Sequence, residues 1–536
     1  MFIKLDGKVV NPCKYISFER NNINYYVSGI FFIPGFKAGR ESLVEFVKRY
    51  EAERSIDFIN CMGSFSFIIE KEDETIAFTD NGIGRCFFYN KNVLADNILE
   101  LIKNERGIEL DKRNIVQYIV YNKIFFDQTY VKGVLSSNNN EFYIIRDNKI
   151  YSFKKNIGTL ESEQYALPAE AFSEILKESL SEINKVVSLT GGFDSRYILS
   201  LLLGSNNLAA SISGTDKTHS DFVISKKVAE TAGVRYKQEI IPKPNIDDNY
   251  MIKMFLQRGG YFNTFNDGNF RLNEYLRRKK EENCQCLITG DTGCFHKSEG
   301  WYAYFPFYRS KHYSIKRYKQ LFLDTKRKLP LSPYSQEMVV DIEKEILKYL
   351  KINKKTVNTN NYDWQSWYLN KVSGYKFLYN SQNMLLTSYP PLLEYRFVIN
   401  SYNLPRKERA MAFYMKKYMT SIDHNIAKIP TASKSTASSE KRFILRDSWF
   451  QICQLFQAAL RLFGRIILKK NFFVENVIDW TCQDEVRNLK LSEEALDFAY
   501  KENIFEKQWT TQDVPYDILC KLIEIYLLKE YSKGRF

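Results

Sequence analysis

Val186-Val-Ser-Leu-Thr-Gly-Gly-Phe-Asp-Ser-Arg196 decides the fold of the middle of this chain. Val186 to Leu189 is a short buried strand by its β-branched and apolar content. Gly191 and Gly192 punctuate it, and an apolar helix is predicted from Ser195 to Leu203. Outward from this unit the alternation repeats. Ala169 to Leu180 reads as a helix, Leu208 to Ser213 as a strand, and Asp221 to Ala232 as a helix. Val234 to Ile241 and Cys284 to Ile288 read as further strands. Strands alternating with helices predict an α/β unit with a doubly wound parallel sheet.

The flanks read differently. Residues 1–155 form an α+β unit of short antiparallel strands with one clear helix, Glu41 to Ala52, whose Leu43, Phe46, Val47 and Tyr50 share a face. Gly63 to Ile69 and Thr75 to Thr79 are joined by the charged turn Glu70 to Glu74, a hairpin pattern, and Asp147-Asn148 marks another turn after Glu141 to Ile145. A second unit spans 165–440, helical after about residue 300, and 441–536 is a helical C-terminal extension. Within the extension, Ile444 to Lys470 is a basic amphipathic helix, expected to pack on its own protein before any membrane or partner.

Composition bounds the function. The 536 residues suggest two to four domains, and 44% apolar with 26% charged content excludes wholesale disorder. Lys4, Asp6 and Lys8 interrupt the N-terminal segment where a signal peptide needs an apolar run, no stretch is apolar enough to span a membrane, and the nine cysteines are scattered. These features predict a cytoplasmic, reduced protein with no membrane span. The net charge of +14 invites an anionic partner, but no nucleic-acid-binding signature accompanies it.

Leu189-Thr-Gly-Gly-Phe-Asp-Ser195 carries the strongest chemical signal. Two glycines at a helix N-terminus let backbone N–H groups approach phosphate oxygens, and the helix dipole favours the negative charge. Thr190 and Ser195 offer hydroxyl donors, and Asp194 is a candidate Mg²⁺ ligand. A tight glycine turn capped by Asp194 explains the same pattern without a ligand. Ser213 ends the second strand, where doubly wound folds bind ligands. Asp221 opens the next helix as a cap or a nucleotide contact. Cys284, Cys286, Cys294 and His296 are zinc-type ligands at unfamiliar spacing; Cys284 and Cys286 are read as sharing one strand face, which favours buried thiols.

Thr190 to Arg196 resembles the pyrophosphate loop of the ATP-pyrophosphatase enzymes, and the surroundings resemble the asparagine synthetase B family. Met62-Gly-Ser-Phe-Ser-Phe-Ile-Ile69 and Asp80-Asn-Gly-Ile-Gly-Arg-Cys-Phe-Phe-Tyr89 are similar to that family's N-terminal signature. Pro391-Leu-Leu-Glu-Tyr-Arg-Phe-Val398 is similar to its Pro-Phe-Leu-Asp motif, with Leu404-Pro405, Lys416, Lys417 and Lys428-Ile-Pro430 following in family order.

The resemblance implies a class II glutaminase-like, Ntn-hydrolase αββα sandwich at 1–155 and an ATP-pyrophosphatase domain at 165–440. The implied activity is an ATP-dependent carbon–nitrogen ligase that adenylates a carboxylate, releases pyrophosphate and lets an amine attack. Leu189, Thr190, Gly191, Gly192, Asp194, Ser195, Ser213 and Gly290 would hold ATP, with Mg²⁺ on Asp194. Asp291 and Glu394 would work at the acceptor, and Lys434 would stabilise charge. The partners implied are a small-molecule, sugar or peptide carboxylate, and ammonia or an amine of the substrate; a homodimer is among the assemblies it allows. Phe2 stands where the family's nucleophilic Cys would be, so the first domain is expected to lack glutaminase activity. Cys294 stands in place of a second Mg²⁺-binding Asp, and a thiol is a poor ligand for a hard cation. An intramolecular cyclase of the lasso-peptide or β-lactam type, and a degenerate nucleotide- or partner-binding protein, are the alternatives. Residues 297–328 carry a net +7 and 405–442 a net +6, which reads as attraction for ATP, pyrophosphate and an anionic acceptor.

Overall fold

The computed structural model describes residues 1–10, 15–103 without 83, 107–297 without 217 and 263, and 329–349. It also describes Trp364, Tyr368, 373–449, 452, 453, 456 and 481–536 without 508. The basic segment 298–328, Cys13 and most of the helix expected at 444–470 lie outside the described residues.

Alternation along the strands builds the N-terminal part. Successive side chains of a strand point to opposite faces. In Met62–Glu70, Phe65, Phe67 and Ile69 face one way and Ile68 the other. The first set packs with Phe31 and Phe78 on Leu43, Phe46, Val47 and Tyr50 of helix Arg40–Glu53. The strand belongs to a six-stranded antiparallel sheet ordered Lys149–Lys154, Glu141–Arg146, Thr75–Thr79, Met62–Glu70, Ile23–Phe32, Ile16–Arg20. Ile68, Ala77, Tyr143 and Ile145 on its other face meet Ile3 and Leu94 of a second, five-stranded antiparallel sheet. Helices Ile98–Lys103 and Lys112–Tyr121 cover that sheet's far side. The layers therefore run helix, sheet, sheet, helix. The turn at Asp147-Asn148 has both residues at positive φ, 50° and 55°, as a two-residue hairpin with the sheet's twist requires.

The second part is the parallel sheet. Arg235–Ile240, Leu208–Gly214, Lys185–Ser188, Cys286–Ile288 and Ser388–Tyr389 lie side by side in that order, all parallel. Helices cover both faces. Val187, Leu189 and Ala210 pack on helices Ala169–Ser179, Phe193–Leu202 and Ser220–Thr231. Val186 and Leu287 pack on Tyr275 and Leu276 of helix Asp267–Glu281. The strand order reverses direction between Lys185–Ser188 and Cys286–Ile288, which opens a crevice at their C-terminal ends.

The C-terminal helices are built into the interior. Helix Tyr516–Ser532 is buried over most of its circumference and shares one core with Ile115, Tyr118, Met251 and Phe255. Its Glu524 carboxylate accepts hydrogen bonds from Phe262 N (2.7 Å), Thr264 N (2.6 Å) and the Tyr130 hydroxyl (3.0 Å).

Cys284 and Cys286 do not share a face. The strand begins at Cys286, whose side chain joins the Val187–Leu189 core, while Cys284 precedes the strand and joins the Leu287–Leu276 core. His296 is fully buried between Ser401 Oγ (2.6 Å) and Leu392 O (2.7 Å), and burial lowers its pKa to about 3. These residues do not converge, and no group of three or more potential metal-binding His, Cys, Asp or Glu occurs among the described residues.

Candidate functional site

The crevice at the strand reversal is a cleft of about 1230 Å³, including its open mouth. Thr190, Gly192, Asp194, Ser195, Ser213, Gly290 and Asp291 line it, joined by Asn266, Asn269, Arg271, Tyr375 and Gln382. Two loops meet here, one after Lys185–Ser188 and one after Cys286–Ile288. Their fit requires glycine at 290: a Cβ there would come 2.6 Å from Ser195 N and 2.7 Å from Asp194 C.

The first loop holds itself in shape. Thr190 N–H donates to Ser195 Oγ (3.1 Å), and the two hydroxyls are 3.0 Å apart. Gly192 N–H donates to Thr190 Oγ1 (3.2 Å), and Gly191 N–H to Asp221 Oδ1 (3.1 Å). Asp221 thus braces the loop, and His219 Nδ1 accepts from Asp221 N (3.3 Å) as the cap of the helix. Leu189 is wholly buried beneath the loop, as a core residue.

Arg196 anchors the loop from behind. Its guanidinium is fully buried and donates to Ile426 O (3.4 Å), Ile429 O and Pro430 O (3.4 Å). The following turn, Thr431 to Ser435, docks on the loop through Ala432 N–H to Gly191 O (3.0 Å). Lys434 sits on this turn, exposed and at a φ of 63°. It is close in chain to the docking point but does not line the cleft.

Asp194 and Asp291 are the carboxylates of the cleft. Asp194 Oδ2 is 2.6 Å from the Lys297 ammonium, and Oδ1 is buried without a hydrogen-bond partner. Burial raises the Asp194 pKa against the opposing pull of Lys297, and the nearby Asp291 raises it further. Asp291 Oδ2 accepts from the Tyr379 hydroxyl (2.7 Å), which lies 3.0 Å from Thr289 Oγ1.

The donors do not fit a loop-bound Mg²⁺. That ion takes oxygen ligands in near-ideal octahedral geometry. Here one carboxylate oxygen is already paired with an ammonium. Gly293 covers the carboxylate so closely that a Cβ would lie 2.5 Å from Asp194 Cγ. The Cys294 thiol turns to its own backbone, 3.7 Å from Thr292 O.

Glu394 is placed elsewhere. Its carboxylate is buried at 5% exposure and does not line the cleft. Oε1 accepts from Gly63 N (2.8 Å) and from the Tyr389 hydroxyl (2.8 Å), and burial pushes its pKa up to about 8. Around it the sequence motifs of the two parts meet. Gly82 packs on Leu393, where a Cβ would lie 2.8 Å from Leu393 O, and Asn383 Nδ2 donates to Gly84 O (2.6 Å). Met62–Ile69, Asp80–Tyr89 and Pro391–Val398 thus form a joint between the antiparallel and parallel sheets.

The basic residues of 405–442 are largely spent on internal partners. Lys416 pairs with buried Asp447 (2.7 Å), Lys417 with Glu408 (3.2 Å), and Lys428 and Arg442 with Glu440 (3.8 and 2.9 Å). Arg409 is buried, its Nη1 donating to Phe295 O (3.4 Å). Lys297 and Tyr379, which contact the cleft carboxylates Asp194 and Asp291, are residues that motif spacing did not single out.

No helix among the described residues is long and apolar enough to cross a membrane. No protein-family model and no curated protein matches the sequence. Among solved structures, the allosteric regulatory enzyme of purine biosynthesis is 14% identical with a TM-score of 0.16, over 45% of this chain and 49% of that one. Glutamine phosphoribosylpyrophosphate amidotransferase from B. subtilis is 14% identical with a TM-score of 0.15, over 44% and 51%. The chain spans about half the length of each, and likenesses of this size say nothing of its activity.

Proposed function

We propose that this chain is an ATP-dependent, AMP-forming carbon–nitrogen ligase of the asparagine synthetase type, without a glutaminase of its own. The observation that supports this most is the convergence of Thr190, Gly192, Asp194, Ser195, Ser213, Gly290 and Asp291 on one cleft at the strand reversal. The Thr190–Ser195 hydroxyl pair and the N-terminus of helix Phe193–Leu202 receive the pyrophosphate end of ATP. Ser213, at the end of the neighbouring strand, marks the adenine side. A substrate carboxylate oxygen attacks the α-phosphorus, the bond to the bridging oxygen breaks, and pyrophosphate leaves. An amine then attacks the acyl carbon and AMP departs with the former carboxylate oxygen. Asp291, oriented by Tyr379, takes the proton that the attacking amine must lose. Lys434, on the turn docked against Gly191, serves charge developing at the mouth. Glu394 holds the joint and takes no part in these steps.

The N-terminal part serves as a scaffold in this reading. Phe2 is buried in an apolar cluster with Phe88 and Val93, so its position offers no nucleophile. The amine is ammonia or belongs to the substrate. Exchange of labelled pyrophosphate into ATP, driven by a panel of candidate carboxylic acids, tests the proposal. Acid-dependent exchange supports it. ATP binding without exchange for any acid favours the non-catalytic alternative, which the ion pair at Asp194 and the thiol at position 294 also suggest.

A further inference from the structure

The cation beside Asp194 comes from the chain itself. Lys297 ends the short turn Phe295–Lys297, and its ammonium lies 2.6 Å from Asp194 Oδ2 with 29% of its side chain exposed. The ring of Phe193, a cleft residue, lies 5.7 Å from the same nitrogen. This brings the charge to Asp194, a residue of the cleft in the N-terminal turn of helix Phe193–Leu202. Gly293 packed on the Asp194 carboxylate crowds the approach of a hard dication, and the nearby Cys294 thiol, turned to Thr292 O, adds no oxygen ligand. An ammonium has three hydrogens, so one can hold Asp194 while another turns to a phosphate oxygen.

We infer that Lys297 takes the place of a loop-bound divalent ion, neutralising Asp194 in the free protein and donating to the polyphosphate of a bound nucleotide. The binding of inorganic pyrophosphate by this loop is therefore independent of divalent cations. The inference rests on the nucleotide reading of the cleft, and the test separates the two.

Calorimetric titration of the full chain with inorganic pyrophosphate, once in EDTA and once in MgCl₂, reads it directly. Binding in EDTA, with little gain on adding MgCl₂, is the expected result. Lys297→Met loses at least about tenfold in affinity in EDTA, the worth of one charge-assisted hydrogen bond, while Lys297→Arg keeps most of it. Binding by the natural chain only in MgCl₂ overturns the inference and leaves the nucleotide reading standing. Unchanged affinity of a folded Lys297→Met protein in EDTA also overturns it. No binding of pyrophosphate or ATP under either condition overturns both. The arm with the natural sequence needs no variant to fold.

Discussion

The carboxylate of Glu394 accepts the backbone N–H of Gly63 at 2.8 Å, across 331 positions of sequence. This bond joins the start of interior strand Met62–Glu70 of the six-stranded sheet to the turn before helix Tyr395–Asn403, and the Tyr389 hydroxyl completes the site. It makes the acidic residue of a catalytic-looking motif a brace between two layers of the molecule.

Because burial pushes the Glu394 pKa up to about 8 from 4.5, the folded protein binds a proton that the unfolded chain releases between those values. Stability therefore falls as pH rises from about 4.5 to 8. Glu394→Gln keeps the accepting oxygen and removes the titration. Chemical denaturation at pH 5 and pH 8 is expected to show a steep loss in the natural chain and a flatter profile in the variant, with pyrophosphate exchange retained. A variant that loses exchange at unchanged stability would return Glu394 to the chemistry.

Gly63 has a φ of 116°, and a Cβ there would lie 2.1 Å from Ile30 O in the neighbouring strand. Gly63→Ala is expected to destabilise by at least about 3 kcal/mol, since backbone must move to admit the atom. A thermal melt reads this, and an unchanged midpoint would mean the strands are not paired as described.

The pair Lys416–Asp447 is buried at 5% and 0% side-chain exposure, and Asp447 also accepts from Thr436 N (3.0 and 3.1 Å) and Thr436 Oγ1 (3.0 Å). Asp447→Ala leaves an uncompensated ammonium, at a cost of about 3–5 kcal/mol. Thr436 follows the turn that docks on Gly191, so ATP affinity is expected to fall with stability. Restoring stability with an osmolyte while affinity stays low would confirm the coupling through the turn.

Ser195→Ala removes the acceptor of Thr190 N–H and leaves the Thr190 hydroxyl with only Gly192 N–H as its partner. A loss of roughly 1–2 kcal/mol in ATP binding is expected from one neutral hydrogen bond and the freed loop. The melting temperature is expected to move little, because the loop lies at the open cleft. Equal binding by Ser195→Ala and the natural chain would remove the hydroxyl pair from the site.

Much of the fold was legible in order and kind. Strand Lys185–Ser188, helix Phe193–Leu202 and strand Leu208–Gly214 lie within two residues of where β-branched runs, glycines and apolar periodicity place them. The hairpin of Met62–Glu70 and Thr75–Thr79 follows from its charged turn. These are local signals, carried by period, turn chemistry and propensity. The C-terminal helices were legible as helices, but their burial was not, because a helix buried on most sides has no polar stripe to orient it.

The sequence by itself determined the glycine turn between strand and helix, and the strand–helix alternation that makes the neighbouring strands parallel. Tertiary structure decided which polar groups are free to act. Glu394 and Lys416 are chemically able residues whose partners, Gly63 and Asp447, bury them, while Lys297 pairs with the cleft carboxylate Asp194 because a short turn brings it there. Desolvation and partner distance set the role of a charged side chain, and neither is written in the spacing of residues along the chain.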